Sequence, residues 1–376
     1  GPMHSPEEFS KPYQHLGSRV ANFLGMIANI DMNVGRLREF LRNEGLEENT
    51  IFIFTTDNGT SSGGKVFNAG MRGQKGSEYD GGHRVPMFIY WPDGKLRGGR
   101  DIQPITAHVD MMPTLLDLCG VPAPSGVKFD GTSLRPLLED GLWPERTLVT
   151  DSQRVRDPIK WRKSAVMTDR WRLINGSELY DIKADPGQKM NVAEEHPRVA
   201  QKLRDFYESW WAELEPTFKV DCQIYLGHPA ENPTTLTSHD WITSGATPWN
   251  QQMIRKGSSG ENVTGYWNVR VIEDGVYHIR LRRWPFEADK ALTVGMEPGA
   301  AVPGDRAFRT HKGQPLPIVA ASLQIGDQQA KQQVEGDAKE VVFRMKLKKG
   351  VTRMTARFLT QDDRILGAYY ARVKKL

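Results

Sequence analysis

Val20, Phe23, Leu24, Ile27, Val34, Leu37 and Leu41 recur at the spacing of one helical face, which predicts an amphipathic helix over residues 17–44 with its apolar stripe packed on a sheet. After Gly45, the run Thr50-Ile51-Phe52-Ile53-Phe54-Thr55-Thr56 is continuously apolar and β-rich. That is the pattern of a strand covered on both faces, as in a parallel α/β sheet. It stops at Asp57-Asn58-Gly59. A second such run, Val85 to Trp91, precedes the turn Pro92-Asp93-Gly94, and a glycine-rich stretch from Thr60 to Gly82 separates the two. Long loops inside a compact domain are often functional. Residues 106–119 read as a further helix closed by Gly120, with Leu115, Leu116 and Leu118 on its apolar side.

From about residue 141 the texture changes to short strands at 148–149, 164–167 and 171–174, with Asn175-Gly176 turning into Leu179-Tyr180. Pro197 opens an amphipathic helix whose Val199, Leu203, Phe206, Tyr207, Trp210 and Trp211 are expected to lie on those strands. Residues 216 to about 260 are rich in Pro, Thr, Ser, Gly and Asn and read as a linker or loop-rich entry to a third unit. There, period-two alternation dominates: Trp267, Val269 and Val271, then Tyr277, Ile279 and Leu281, and later Val341, Phe343 and Met345. The pattern predicts an antiparallel β-sandwich, and no internal repeat is present.

The 376 residues are 38% hydrophobic and 26% charged, enough for two or three folded domains. The 50 Lys and Arg are interspersed with 46 Asp and Glu, so no basic field points to nucleic acid as a partner. No run of 18 apolar residues is present, so no spanning helix is expected, and the opening GPMHSPEEF lacks the features of an export signal. Gly1-Pro2 is either the scar of a removed tag or the interior of a longer reading frame. Cys119 and Cys222 allow at most one disulfide and match no zinc spacing, which leaves the redox compartment open.

An Asp and an Asn at the carboxyl end of a buried strand stand where open α/β sheets place ligands, and Asp57 and Asn58 offer hard oxygen donors suited to Ca2+ or Mg2+. The same Asp-Asn-Gly is also an ordinary turn. Downstream, glycines at 70, 73, 76, 81 and 82 permit close backbone approach, and Lys75 and Arg84 supply cations for a tetrahedral oxyanion. Four tryptophans of the third unit, Trp241, Trp249, Trp267 and Trp284, offer flat apolar area for sugar rings. Trp267 reads as interior, and Trp241 and Trp249 are the better stacking candidates.

In order, these residues spell T-D-N-G, R-G-x-K-G-S-x-Y-D-G-G-x-R-V-P, W-P, V-D-M-M-P-T-L-L-D-L-C-G-V and F-D-G-T-S-L-R-P-L-L. This series resembles the second half of the catalytic domain of type I sulfatases, from Ile30-Asp31 to Leu138. Leu179-Tyr180-Asp181, Asp185-Pro186 and Asn191-Val192-Ala193 resemble the C-terminal subdomain of that family. The resemblance covers residues 1 to about 215 and implies part of a doubly wound α/β fold over 1–140 and a small α+β subdomain over 141–215; composition and alternation give the linker and β-sandwich over 216–376. The resemblance implies Ca2+ ligation by Asp57 and Asn58 and sulfate contact by a catalytic Lys75, in hydrolysis of a sulfate ester by an activated aldehyde hydrate. His83 stands where the family varies and either touches substrate or caps the loop; Arg84 either meets substrate or braces the strand against Asp80. His4 is either a neighbour of the sulfate-binding His or that His itself.

The family's formylglycine motif, C/S-x-P/A-x-R, is missing: neither Cys119-Gly-Val-Pro-Ala nor Cys222-Gln-Ile-Tyr-Leu fits, nor does any Ser. The chain therefore reads as the C-terminal portion of a longer enzyme, inactive alone. The resemblance implies a sulfated small molecule or glycan as partner, and a periplasmic or extracellular location. A phosphate ester hydrolase of the same superfamily, and a non-catalytic glycan-binding or interaction protein on this scaffold, are the alternatives.

Overall fold

The computed structural model describes residues 4–153, 155–245, 251–258, 260, 264–299 and 312–376, and the chain divides into two compact units between Lys219 and Val220. In the first unit, the expected long helix spans Ser18–Asn43. Only its N-terminal part is covered: Ala21, Asn22 and Gly25 are buried, whereas Ile27, Ile30, Leu37 and Phe40 are each about half exposed. Of the stripe that the periodicity assigned to a sheet, Val20, Phe23, Leu24, Val34 and Leu41 are partly buried, and Ile27 and Leu37 stay about half exposed.

The two apolar runs form β1 (Phe52–Thr55) and β2 (Met87–Tyr90), which pair with each other in antiparallel register, Phe52 opposite Tyr90 and Thr55 opposite Met87. This corrects the parallel, doubly covered strand that the run at 50–56 suggested. The reason is the intervening segment: the Gly59 N–H donates to the Gly82 carbonyl at 2.9 Å, which closes the loop at its mouth and returns the chain beside β1. The class stays mixed α/β. The helix expected over 106–119 begins as a 3-10 turn, His108–Asp110, continues as Met111–Leu118, and ends with Gly120 at φ +64°.

Strands β3 (Leu148–Asp151), β4 (Ser164–Met167), β5 (Trp171–Ile174) and β6 (Glu178–Asp181) form an antiparallel meander in sequence order. Its two faces have different partners, as the strand period of two requires. Val166, Leu173 and Leu179 pack against Ala200, Leu203, Tyr207 and Trp211 of the helix Pro197–Leu214. Ala165, Met167, Ile174 and Tyr180 face Tyr79 and Ile105 instead. Of the helix face read from the sequence, Phe206 alone turns outward to the exposed class.

The second unit holds β7 (Ile224–Leu226), β8 (Thr234–Thr237), β9 (Trp267–Val271), β10 (Gly275–Arg282), β11 (Ile318–Ile325), β12 (Gln328–Gln333), β13 (Val341–Leu347), β14 (Gly350–Thr360), β15 (Ile365–Gly367) and β16 (Tyr370–Lys375). One sheet runs β13-β10-β16-β8; the other runs β12-β11-β14-β9-β7, with β15 on β14. The turn at Glu273-Asp274 passes the chain from one sheet to the other, and inward side chains of both share a core that includes Trp267, Tyr277, Phe343 and Phe358. All ladders are antiparallel except β7 on β9, which is parallel. Strands β7 and β8 lie in the stretch that composition assigned to a linker.

Trp241, Trp267 and Trp284 are all buried in that core, so Trp241 is not the surface platform the sequence suggested. Its ring lies where a side chain on Gly367 would have to be, with a Cβ there only 2.0 Å from the indole. Trp249 lies outside the described residues.

Candidate functional site

Two loops meet at the carboxyl end of β1. Besides the Gly59 to Gly82 bond, the backbone N–H of Lys75 donates to the Thr60 carbonyl at 2.9 Å. Approach this close needs a bare Cα: a Cβ on Gly59 would sit 1.9 Å from the Gly81 carbonyl oxygen. The two hydrogen bonds bring the loop of Asp57 and Asn58 onto the loop of Lys75. Asp57 and Lys75 are exposed and Asn58 is half-buried. Among the described residues, none of these three side chains has a hydrogen-bond or ion-pair partner. His108 joins them, its Nε2 3.0 Å from the Thr56 carbonyl oxygen.

The glycine-rich segment is held from behind by polar anchors to the meander. Arg72 Nη1 donates to the Tyr180 hydroxyl and to the Gln188 carbonyl, both at 3.0 Å, and its guanidinium lies 3.8 Å from the Tyr79 ring centroid. The Tyr79 hydroxyl donates to Glu178 at 2.9 Å, and burial together with that carboxylate pushes the Tyr79 hydroxyl well above its ordinary value. The Asp80 N–H donates to Gln188 Oε1 at 2.8 Å, and Asn175 Nδ2 to Glu78 Oε1 at 3.1 Å.

At the centre of these anchors is a buried ion pair. Arg172 of β5 donates from Nε to Asp80 Oδ1 at 2.9 Å, with both side chains more than nine-tenths buried. Burial pushes the Asp80 carboxyl up, but His83 and Arg172 beside it outweigh that and hold it below the usual carboxylate range. His83 Nε2 lies 3.6 Å from Asp80 Oδ1, and both ring nitrogens are buried with no hydrogen-bond partner. Arg84 is exposed, with Nη1 3.9 Å from Asp80 Oδ2.

On the other side of the loops, Asp110 is fully buried and accepts two hydrogen bonds from Arg146, each 2.9 Å, and one each from the Ala107 and Thr132 N–H groups. It thereby fixes the turn that carries His108. His4 sits half-buried before the long helix, its Nδ1 without a hydrogen-bond partner, and among the described residues nothing bonds it to the two loops.

Sequence reasoning thus named the residues of the two loops but missed Arg172, Asp110 and His108. Arg172 lies 92 residues beyond its partner, and the only local signal is an arginine inside a four-residue apolar strand.

Asp57 and Asn58 suit a hard cation in donor type, but two side chains fall well short of the roughly six to eight oxygens that Ca2+ takes. Among the described residues no group of three or more His, Cys, Asp or Glu side chains gathers as a metal site.

Two protein-family models match this chain: Sulfatase over residues 1–121, and N-sulphoglucosamine sulphohydrolase, C-terminal, over residues 74–210. Through these residues the chain is similar to the sulfatase family. An uncharacterized sulfatase of Escherichia coli (strain K12) is 37% identical over 138 residues, 36% of this chain and 24% of that protein. The arylsulfatase of Clostridium perfringens (strain 13 / Type A) is 32% identical over 196 residues, 49% of this chain and 38% of that one. The N-acetylglucosamine-6-O-sulfatase of Bacteroides thetaiotaomicron is 29% identical over 245 residues, 58% of this chain and 38% of that one. The crystal structure of Ps i-CgsB in complex with k-i-k-neocarrahexaose aligns with TM-score 0.49 and 23% identity, covering 56% of this chain and 47% of that one. The chain spans less than two fifths of the length of each of these three sulfatases. No described helix is long and apolar enough to cross a membrane.

Proposed function

We propose that residues 1 to about 215 of this chain supply part of the active site of a sulfuric ester hydrolase. The observation that carries the reading is the pair of backbone hydrogen bonds, Gly59 to Gly82 and Lys75 to Thr60, which joins an uncommitted Asp57 and Asn58 to an uncommitted Lys75. A fixed ammonium takes up charge on the transferring sulfuryl oxygens as it develops. His83, half-buried with both ring nitrogens unpaired, serves as a substrate contact, and Arg84 and Arg172 brace the loop through Asp80. His4 is a second substrate-side histidine in this reading. Asp57 and Asn58 would hold part of a Ca2+ shell, and the ion would polarise a sulfate oxygen as a Lewis acid.

The substrate is read as a sulfated glycan or small molecule, in line with the sulfatases named above, and the location as periplasmic or extracellular. Residues 1–140 are assigned to the catalytic α/β domain, 141–215 to its small subdomain and 216–376 to a β-sandwich accessory domain.

The 376 residues contain no C/S-x-P/A-x-R, so the chain alone is expected to hydrolyse no sulfate ester. Purified chain incubated with 4-nitrophenyl sulfate should release nitrophenol no faster than its Asp57→Ala variant; a rate clearly above that control overturns the account. Calorimetric titration with Ca2+ is expected to show affinity weaker than micromolar, since most of the shell is lacking. A micromolar Kd would mean that the described loops carry a complete site.

A further inference from the structure

The outer face of the β12-β11-β14-β9-β7 sheet carries a groove of about 380 Å³, lined by Tyr266, Gln324, Asp327, Thr352, Arg353 and Thr355. Strand alternation accounts for its polar character. On β14, Met354, Ala356 and Phe358 are buried in the core, so Arg353, Thr355 and Arg357 project from the opposite face. Thr355 stands opposite Gln324 on β11, and Arg357 opposite Ser322.

Two arginines stand on this face. The Arg353 guanidinium lies 4.6 Å from the Tyr266 ring centroid, a cation–π contact that holds the head group in the groove without using its N–H donors. Arg357 has its Nε buried with no hydrogen-bond partner. Among the described residues neither guanidinium has a carboxylate within ion-pair distance, whereas Arg280, Arg282 and Arg364 of the same unit are each paired with one. Arg357 lies on the same face but does not line the groove, where Arg353 is the lining guanidinium.

We infer that this groove binds an anionic saccharide. The planar Arg353 guanidinium matches the oxygens of a sulfate ester or a carboxylate, and the Gln324 amide, the Asp327 carboxylate and the Thr352 and Thr355 hydroxyls match the mixed donors and acceptors of sugar hydroxyls. The volume falls in the range of about 300–1,000 Å³ usual for ligand sites. The inference goes beyond the hydrolase reading, because every residue of the groove lies in the second unit.

Calorimetry on the intact chain tests it with four hexasaccharides: κ-carrageenan (sulfate alone), hyaluronan (carboxylate alone), chondroitin 6-sulfate (both) and neutral maltohexaose. At least one charged probe is expected to bind more tightly than maltohexaose, and the first two distinguish sulfate from carboxylate recognition. Arg353→Ala should weaken that binding about tenfold or more, the loss of a charge-assisted hydrogen bond. Gln324→Ala, a milder change at the same groove, should weaken it less. No preference for any charged probe, or equal binding by Arg353→Ala and Gln324→Ala, overturns the inference. Binding lost in Lys75→Ala but kept in Arg353→Ala also overturns it, and leaves the hydrolase reading standing.

Discussion

Arg172→Ala is expected to destabilise the first unit by about 3–5 kcal/mol, the usual cost of removing one partner of a buried ion pair. Asp80 is 1% exposed, and without the guanidinium its carboxylate keeps, among the described residues, only His83 at 3.6 Å and Arg84 at 3.9 Å, both beyond hydrogen-bonding distance. Adding Asp80→Asn removes the stranded charge, so the double variant should recover part of the loss. Amide hydrogen exchange over residues 164–181 reads this unit separately from the second; a loss under about 1 kcal/mol would contradict the assignment. The pH dependence has a definite sign. Asp80 is held below the usual carboxylate range, so its stabilisation is full above the unfolded value of about 3.9 and is lost as pH falls through the lower folded value. Arg172→Ala should therefore flatten the acid side of the stability profile below about pH 4.

Lys75→Ala is expected to lower kcat by about 10²- to 10³-fold, the usual effect of deleting one preorganised group that stabilises developing negative charge. The assay uses the polypeptide encoded by the entire reading frame in the source, with 4-nitrophenyl sulfate as substrate. Lys75 is exposed and, among the described residues, makes no ion pair, so its removal should leave folding intact and KM changed less than kcat. Lys75→Arg should restore activity only in part, because a planar fork does not replace a compact ammonium. Equal kcat for wild type and Lys75→Ala would remove Lys75 from the chemistry.

Local periodicity made the meander and most of the second unit legible, since each buries a face whose spacing is written in consecutive residues; the long helix was legible from the same spacing although much of its apolar face stays exposed. What depends on distant closure was not. The antiparallel pairing of β1 and β2 is set by the Gly59 to Gly82 bond, and an apolar run reads the same whichever way its neighbour points. Thr234–Thr237 is a strand made chiefly of threonine, which composition alone assigns to a loop. Trp241 sits in polar sequence yet fills the core because Gly367, 126 positions on, leaves room for its ring. At the candidate site, motif order singled out Asp57, Asn58 and Lys75, while the Arg172 to Asp80 pair on the glycine-rich loop joins positions that no spacing rule connects.

In the proposed function, Asp57, Asn58 and Lys75 belong to a sulfate ester hydrolase site whose nucleophile motif is missing from these 376 residues. Turnover of 4-nitrophenyl sulfate by the polypeptide of the entire reading frame, set beside the 376-residue chain under identical conditions, tests it most directly. The account predicts hydrolysis by the former and none by the latter. Activity in the 376-residue chain, or silence in the entire frame's product, would contradict it.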